Sequence, residues 1–249
     1  TFDSDTLQHI PDPMSMVQVS DLNDTVALFW SEAGTAENYY YFEYPQWEVY
    51  YGNPTVDTFL LALRRLYMSG ELQEPICSVT TELMLHSNGD FDMALVNNSC
   101  TDISPSVASV GFRGQPKDGG EQLETLRGSG FSCCKQYYME FKQPTSMPTS
   151  MPTTIPSSVP TQLPDSQQYY IVSAVDMAGA SSGSLVGDDY SSLSKITDVE
   201  GPVNLYLQSF AFPYFGSSFS QIYVAAEYGL VTFDSDTLQH IPDPMSMVQ

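Results

Sequence analysis

The chain is short of positive charge. Lys and Arg together number 8 against 30 Asp and Glu in 249 residues, a net charge of −22. Nucleic-acid binding and anionic membrane surfaces both reward Lys and Arg, so neither is an expected partner. No apolar run approaches the roughly 20 residues that cross a bilayer, so no membrane span is expected. Histidine is equally scarce. His9, His86 and His240 are the only three, and no Ser or Cys nucleophile pattern accompanies them. No glycine loop of the phosphate-cradling type occurs. The sequence therefore reads as a non-enzyme; a hydrolase would have to rest on scattered acids alone.

Apolar residues are sufficient. They make up 42% of the chain and aromatics 12%, enough to bury a core. The acidic excess suits solubility and repulsion between sheet edges. Its clustered oxygens at Asp3-Ser-Asp5, Asp90-Phe-Asp92 and Asp188-Asp189 make Ca²⁺ the one ion worth considering. None of these has the full ligand spacing of a calcium loop, so no metal site is assigned.

The strongest feature is a repeat. Residues 1–18, TFDSDTLQHIPDPMSMVQ, recur identically as residues 232–249, an offset of 231. The favoured reading is a stretch of a tandem array with a 231-residue period. The alternative is one copy flanked by two identical ends. The chain begins at Thr1 without Met, so a processed or excerpted part of a longer protein is expected. Val224 to Phe233 reads as one strand continuing into Asp234, and Thr1-Phe2 repeats its tail. Residues 1–143 are thus expected to be the main part of a sandwich lacking its first strands. Residues 200–249 would be the opening strands of the next copy, each part needing the other from a neighbour.

Between them, residues 144–164 are of low complexity. Pro144, Pro148, Pro152, Pro156, Pro160 and Pro164 recur every four residues, most of them preceded by an apolar residue. Locked φ angles favour an extended polyproline II rod, roughly 65 Å long at about 3.1 Å per residue; a plain flexible linker is the alternative. Such composition fits an O-glycosylated stalk. The candidate acceptors are Thr145, Ser146, Thr149, Ser150, Thr153, Thr154, Ser157, Ser158 and Thr161, with the six prolines open to hydroxylation. Residues 165–199 follow as a strand, Tyr169 to Val175, and a Gly/Ser-rich loop over 178–194.

Elsewhere the patterning is β. Val26 to Trp30, Tyr39 to Tyr44, Trp47 to Tyr51, Thr81 to Leu85, Phe91 to Val96, Val107 to Phe112 and Val203 to Phe212 read as strands. Asn88-Gly89 between two of them is a strong hairpin signal. Residues 58–68, TFLLALRRLYM, are ambiguous. Leu, Ala and Arg favour a helix, whereas a continuous apolar run fits a buried strand, and strand is taken.

Cys77 and Cys100 lie symmetrically about Asn88-Gly89, at a position where an unbroken ladder would hold side chains apart, so a bulge is needed to join them. Cys133 and Cys134 are adjacent, and four cysteines allow three connectivities. An even count in an extracellular-looking chain favours disulfides; a zinc site would lack paired spacing and a nearby His. Asn23 and Asn97 open N-glycosylation sequons.

Phe210-Ala-Phe-Pro-Tyr-Phe-Gly216, then Ile222-Tyr223-Val224, then Tyr228 to Phe233 resemble the opening of nidogen-like extracellular β-sandwich domains, with Tyr228 where the family has Asn. Leu28-Phe29-Trp30, Tyr39-Tyr40-Tyr41, Asn88-Gly89 and Val110-Gly111-Phe112 resemble later elements in the family's order, once residues 200–249 are placed before residues 19–125. The Pro-Thr-Ser runs resemble those of secreted surface proteins of microalgae. The resemblance implies an adhesion or matrix module without catalytic residues. The expectation is an all-β antiparallel sandwich, completed across the repeat boundary, in a glycosylated subunit that assembles head to tail with copies of itself. The alternative is an adhesion or carbohydrate-binding module that stacks sugars on tyrosines among residues 39–44, 50 and 51.

Overall fold

The computed structural model describes residues 24–30, 46–68, 75–99, 109–114, 122–125, 135–142, 169–176, 184–187, 189–197, 201–226 and 229–235. These residues are almost all strand and contain no helix. In chain order the strands are β1 (Thr25–Trp30), β2 (Gln46–Thr55), β3 (Thr58–Met68), β4 (Pro75–His86), β5 (Phe91–Asn98), β6 (Ser109–Gly114), β7 (Gln122–Thr125), β8 (Lys135–Lys142), β9 (Tyr169–Asp176), β10 (Ser194–Thr197), β11 (Val203–Tyr206), β12 (Phe212–Tyr214), β13 (Ser217–Phe219), β14 (Gln221–Ala225) and β15 (Leu230–Thr232).

Two antiparallel sheets face each other. One runs β11-β14-β15-β1-β6-β7, the other β10-β2-β3-β4-β5-β8-β9, and β12-β13 form a separate hairpin. Alternate residues of each sheet point inward, as period-2 patterning requires. Val26, Phe112, Ile222, Val224 and Val231 meet Phe59, Leu61, Leu83, Phe91 and Met93 in one core. Phe91 of one sheet lies edge-on to Phe112 of the other at 5.4 Å, and Tyr170 touches both.

The ambiguous 58–68 run is strand β3, paired on both sides by β2 and β4. Its helix-favouring residues are overruled by two long neighbours that satisfy its backbone. The run is apolar without alternation because both faces are covered. Phe59, Leu61 and Leu63 enter the core, while Leu60 and Ala62 on the other face are also fully buried. The Asn88-Gly89 hairpin forms as expected between β4 and β5, with Gly89 at φ 97°.

Two expected strands are each broken in two. Val203 to Phe212 divides into β11 and β12 around Gln208, at φ 54°. Val224 to Phe233 is a tight hairpin rather than one strand. Gly229, at φ 65°, donates its N–H to the Ala226 carbonyl, and Ala225 pairs with Leu230. Strands β7, β8, β10 and β13 carried no signal strong enough to single out. Tyr39–Tyr44 lies outside the described residues.

The segments flanking the proline run belong to one sheet. β8 and β9 are neighbours in the ladder, with Lys142 opposite Tyr169. Residues 143–168 therefore leave and re-enter the sheet at adjacent strand ends and do not separate two domains. The expected polyproline rod itself lies outside the described residues. β10, from the same 165–199 region, closes the opposite edge by pairing with β2.

Candidate functional site

Strand β1 is the centre of the candidate site. On one side it pairs with β6, and on the other with β15 from the far end of the chain: Thr25 opposite Thr232, Val26 opposite Val231, Ala27 opposite Leu230. Each part was expected to be completed by a neighbouring copy; in this structure residues 25–27 and 230–232 pair within one chain. Leu28 N–H donates to the Gly229 carbonyl at 2.9 Å, and Phe233 N–H donates to the Asp24 carbonyl at 3.0 Å. These bonds mark the narrow pairs of the ladder, so Thr25/Thr232 and Ala27/Leu230 are the closely spaced pairs between them. The Thr232 hydroxyl also donates toward the Asp24 carbonyl, and Asp24 holds φ 51° at the point where β1 starts.

The seam is sealed by aromatics. Phe233, just past β15, stacks on Phe212 at 5.3 Å and packs against Tyr214 at 4.5 Å. The run Phe210–Gly216, on which the family resemblance rests, holds β12 and the loop of the β12–β13 hairpin. Phe212, Tyr214 and Phe215 are buried there, and Phe215 and Gly216 form a two-residue loop with φ 43° and 81°. Two positive φ values fit the reversed turns that match strand twist. The Tyr214 hydroxyl donates to the Arg113 carbonyl and the Tyr170 hydroxyl to the Gly89 carbonyl, both at 3.0 Å. Burial pushes both phenols well above their usual range.

The outer face of the seven-stranded sheet is also covered over β2–β4. Glu82 is fully buried there. Its Oε1 lies 2.6 Å from the Tyr190 hydroxyl and 2.7 Å from that of Ser184, while Oε2 accepts the Leu185 N–H at 2.6 Å. Ser184, Leu185 and Tyr190 are thereby pinned to β4, and Tyr190 also stacks on Tyr50 of β2. Beside it, Glu48 accepts from Lys195 at 2.6 Å, Tyr50 at 2.9 Å and Arg64 at 3.2 Å. Burial raises the Glu48 carboxyl, but the hydrogen bonds from Lys195 and Tyr50 and the charges of Lys195 and Arg64 outweigh it and lower the pKa.

The other sequence-derived sites fall as follows. Cys77 is disulfide-bonded. A bulge between Thr80 and Thr81 of β4 and its partner strand moves the register to Val79 opposite Asn98, and Ser99 N–H donates to the Ser78 carbonyl at 2.9 Å. That bulge turns the next position along, occupied on β4 by Cys77, into a closely spaced one. Cys100, Cys133 and Cys134 lie outside the described residues. Asn97 is exposed on β5, while Asn23 and all the proline-segment acceptors lie outside.

The expected calcium oxygens are engaged in other ways. Asp90 Oδ2 accepts from Tyr138 at 2.6 Å and from Asn88 at 2.7 Å, and that hydrogen bond pushes the Tyr138 phenol up. Asp92 Oδ2 lies 2.6 Å from His86 Nε2. Asp189 accepts the Ser191 N–H. Among the described residues no group of three or more His, Cys, Asp or Glu is placed to hold a metal. Asp3, Asp5, Asp188, His9 and His240 lie outside them. Tyr51 packs against the core, and the Tyr50 ring is flanked by Tyr190, stacked at 5.1 Å, and by Lys195.

Glu82 and Glu48 are the residues that reading the sequence did not single out. An acid inside an otherwise apolar strand, as in Thr80-Thr81-Glu82-Leu83-Met84, is the signal that points to the first. No protein-family model, no curated protein and no solved structure matches the chain.

Proposed function

We propose that the protein is an extracellular structural subunit that assembles head to tail, each sandwich being completed at β1 by strands of a neighbouring copy. The carrying observation is the seam itself: β1 takes as its partner a strand whose last residue opens the duplicated sequence. In a tandem array of 231-residue units, residue 232 of one copy is residue 1 of the next. The same hydrogen bonds then join successive copies. A head-to-tail contact that does not close on itself builds an open filament.

The supporting features are secondary. A disulfide at Cys77 suits an oxidising, extracellular setting, with Cys100 the partner favoured by the register. Exposed Asn97 suits a glycan, and the acidic surface keeps unassembled sheet edges apart. The nidogen-like reading rests on the sequence run Phe210–Gly216.

Electron microscopy of native material, with the mass of the intact chain, tests the reading. Regular fibres with an axial repeat set by one 231-residue unit are expected. Dispersed particles of single-copy mass would remove the filament and favour an adhesion module.

A further inference from the structure

We infer that residues 203–235 form an exchangeable unit, able to leave the sandwich of their own chain and complete the same sandwich in a second copy. This rests on the head-to-tail reading and names the element that makes the contact.

Three observations carry it. First, the unit is one block of structure: β11, β14 and β15 are consecutive in one sheet, and the β12–β13 hairpin packs under them. Its buried side chains Leu205, Ile222 and Val224 share one core with the rest of the chain, and Phe212 and Tyr214 lie against Phe91 of the other sheet. Any second copy offers an identical core, so exchange conserves every contact and costs mainly association entropy.

Second, the unit is reached through a sheet-to-sheet crossing. β10 ends at Thr197 in the seven-stranded sheet and β11 begins at Val203 at the edge of the other. Gly201 sits in that crossing at φ 77° with no described residue within 4 Å of where a Cβ would be, and Pro202 follows. A glycine tolerates the left-handed backbone and the change of direction that such a crossing needs.

Third, the place beside Asp24 holds one segment, and the chain carries two that match it. Thr232 and Phe233 fill it here, and Thr1-Phe2 have the same sequence. The first copy lies 24 residues before Thr25, within reach of a simple loop; the second arrives from 207 residues downstream. When a unit upstream supplies the strand leading into Thr1, the 203–235 unit of this copy is released for the next.

The test uses Thr25→Cys and Thr232→Cys, a closely spaced antiparallel pair with Cα atoms about 4.5 Å apart, within disulfide range. The two single variants are mixed, unfolded with native disulfides intact and refolded together at high concentration. Exchange predicts a covalent two-chain species joined between position 25 of one chain and position 232 of the other. It forms in the mixture and is absent from either variant alone. A mixture that stays monomeric, while the double variant closes quantitatively within one chain, overturns the inference.

Val26→Asp and Val231→Asp give an independent readout. Each spoils one side of its own seam, and the two together retain one intact seam between chains. A two-chain species in the mixture alone supports exchange; elution as the sum of the separate variants overturns it. Fibres without any cross-chain link would leave head-to-tail assembly standing on another surface and remove exchange. Cross-linked closed pairs without fibres would keep exchange and remove the filament.

Discussion

The ring of Phe215 occupies the volume that a side chain on Gly114 would need. A Cβ built at Gly114 runs into the Cδ2 and Cε2 atoms of that ring. Phe215 is also held at φ 43°, a left-handed conformation that bulky residues rarely adopt. The strained turn persists because the ring it delivers is buried against the end of β6. Gly114→Ala is expected to cost about 1–3 kcal/mol by overpacking. Phe215→Ala is expected to cost about 3–5 kcal/mol by emptying the site. The two are coupled, so most of the Gly114→Ala penalty vanishes in a Phe215→Ala background. Urea unfolding of the four proteins measures this, and strictly additive losses would refute the contact.

Glu82 gives the second prediction. Its carboxylate takes hydrogen bonds at both oxygens from Ser184, Leu185 and Tyr190, so Glu82→Ala removes their acceptor beneath a covered face. A loss of at least about 1.5–3 kcal/mol is expected, the range for one bond to a charged group. Glu82→Gln loses less, because its oxygen still accepts while its NH₂ faces a donor. Limited proteolysis should cut within 184–193 in Glu82→Ala before the sandwich unfolds. Cutting only at the rate of global unfolding would show that the stretch is held by other contacts.

The strands were legible in the sequence where one residue type decided the outcome. Asn88-Gly89 supplies the backbone freedom for a hairpin, and the aromatic and β-branched runs at Val26, Trp47 and Tyr169 supply pleated surfaces. The 224–233 hairpin was hidden because the residues of both its strands are mostly apolar and the run reads as continuous. The β8 strand, Lys135–Lys142, carries Lys, Gln and Glu among its tyrosines, so only pairing with β5 and β9 reveals it. The β1–β15 pairing within one chain was not foreseen, because the repeat pointed to each part being completed by a neighbouring copy. Neither was the Glu82 clamp, since its donors lie 102 to 108 residues away.

The Glu48 cluster predicts a pH dependence. The folded Glu48 carboxyl titrates below its ordinary value of 4.5. Its contribution is full above that value and is lost as pH falls through the lowered folded value. Lys195 behaves in the opposite sense. Its hydrogen bond to Glu48 raises its pKa above the ordinary 10.5, so its contribution is present below pH 10.5 and fades as pH rises past the folded value. Glu48→Gln should flatten both limbs, and the loss should be largest between them. Denaturant unfolding across pH 3 to 11 checks it; a Glu48→Gln curve parallel to the parent at both ends would dismiss the cluster as a source of pH sensitivity.

The last prediction concerns the proline segment. Lys142 and Tyr169 are opposite each other in the β8–β9 ladder, so the 26 residues 143–168 close a hairpin. A loop of that length costs more chain entropy than a short one, by about 1–2 kcal/mol relative to a four-residue turn. Replacing residues 143–168 with a four-residue Asn-Gly turn should therefore leave the sandwich intact and slightly more stable, with an unchanged β-type circular dichroism spectrum. Under the O-glycosylated-stalk reading of Thr145 to Thr161, the same variant loses mass beyond that of the deleted residues; a mass change equal to the deleted residues alone would dismiss that reading. Loss of cooperative unfolding in that variant would reverse the conclusion: the segment would then pack on the sandwich and hold its β9 edge.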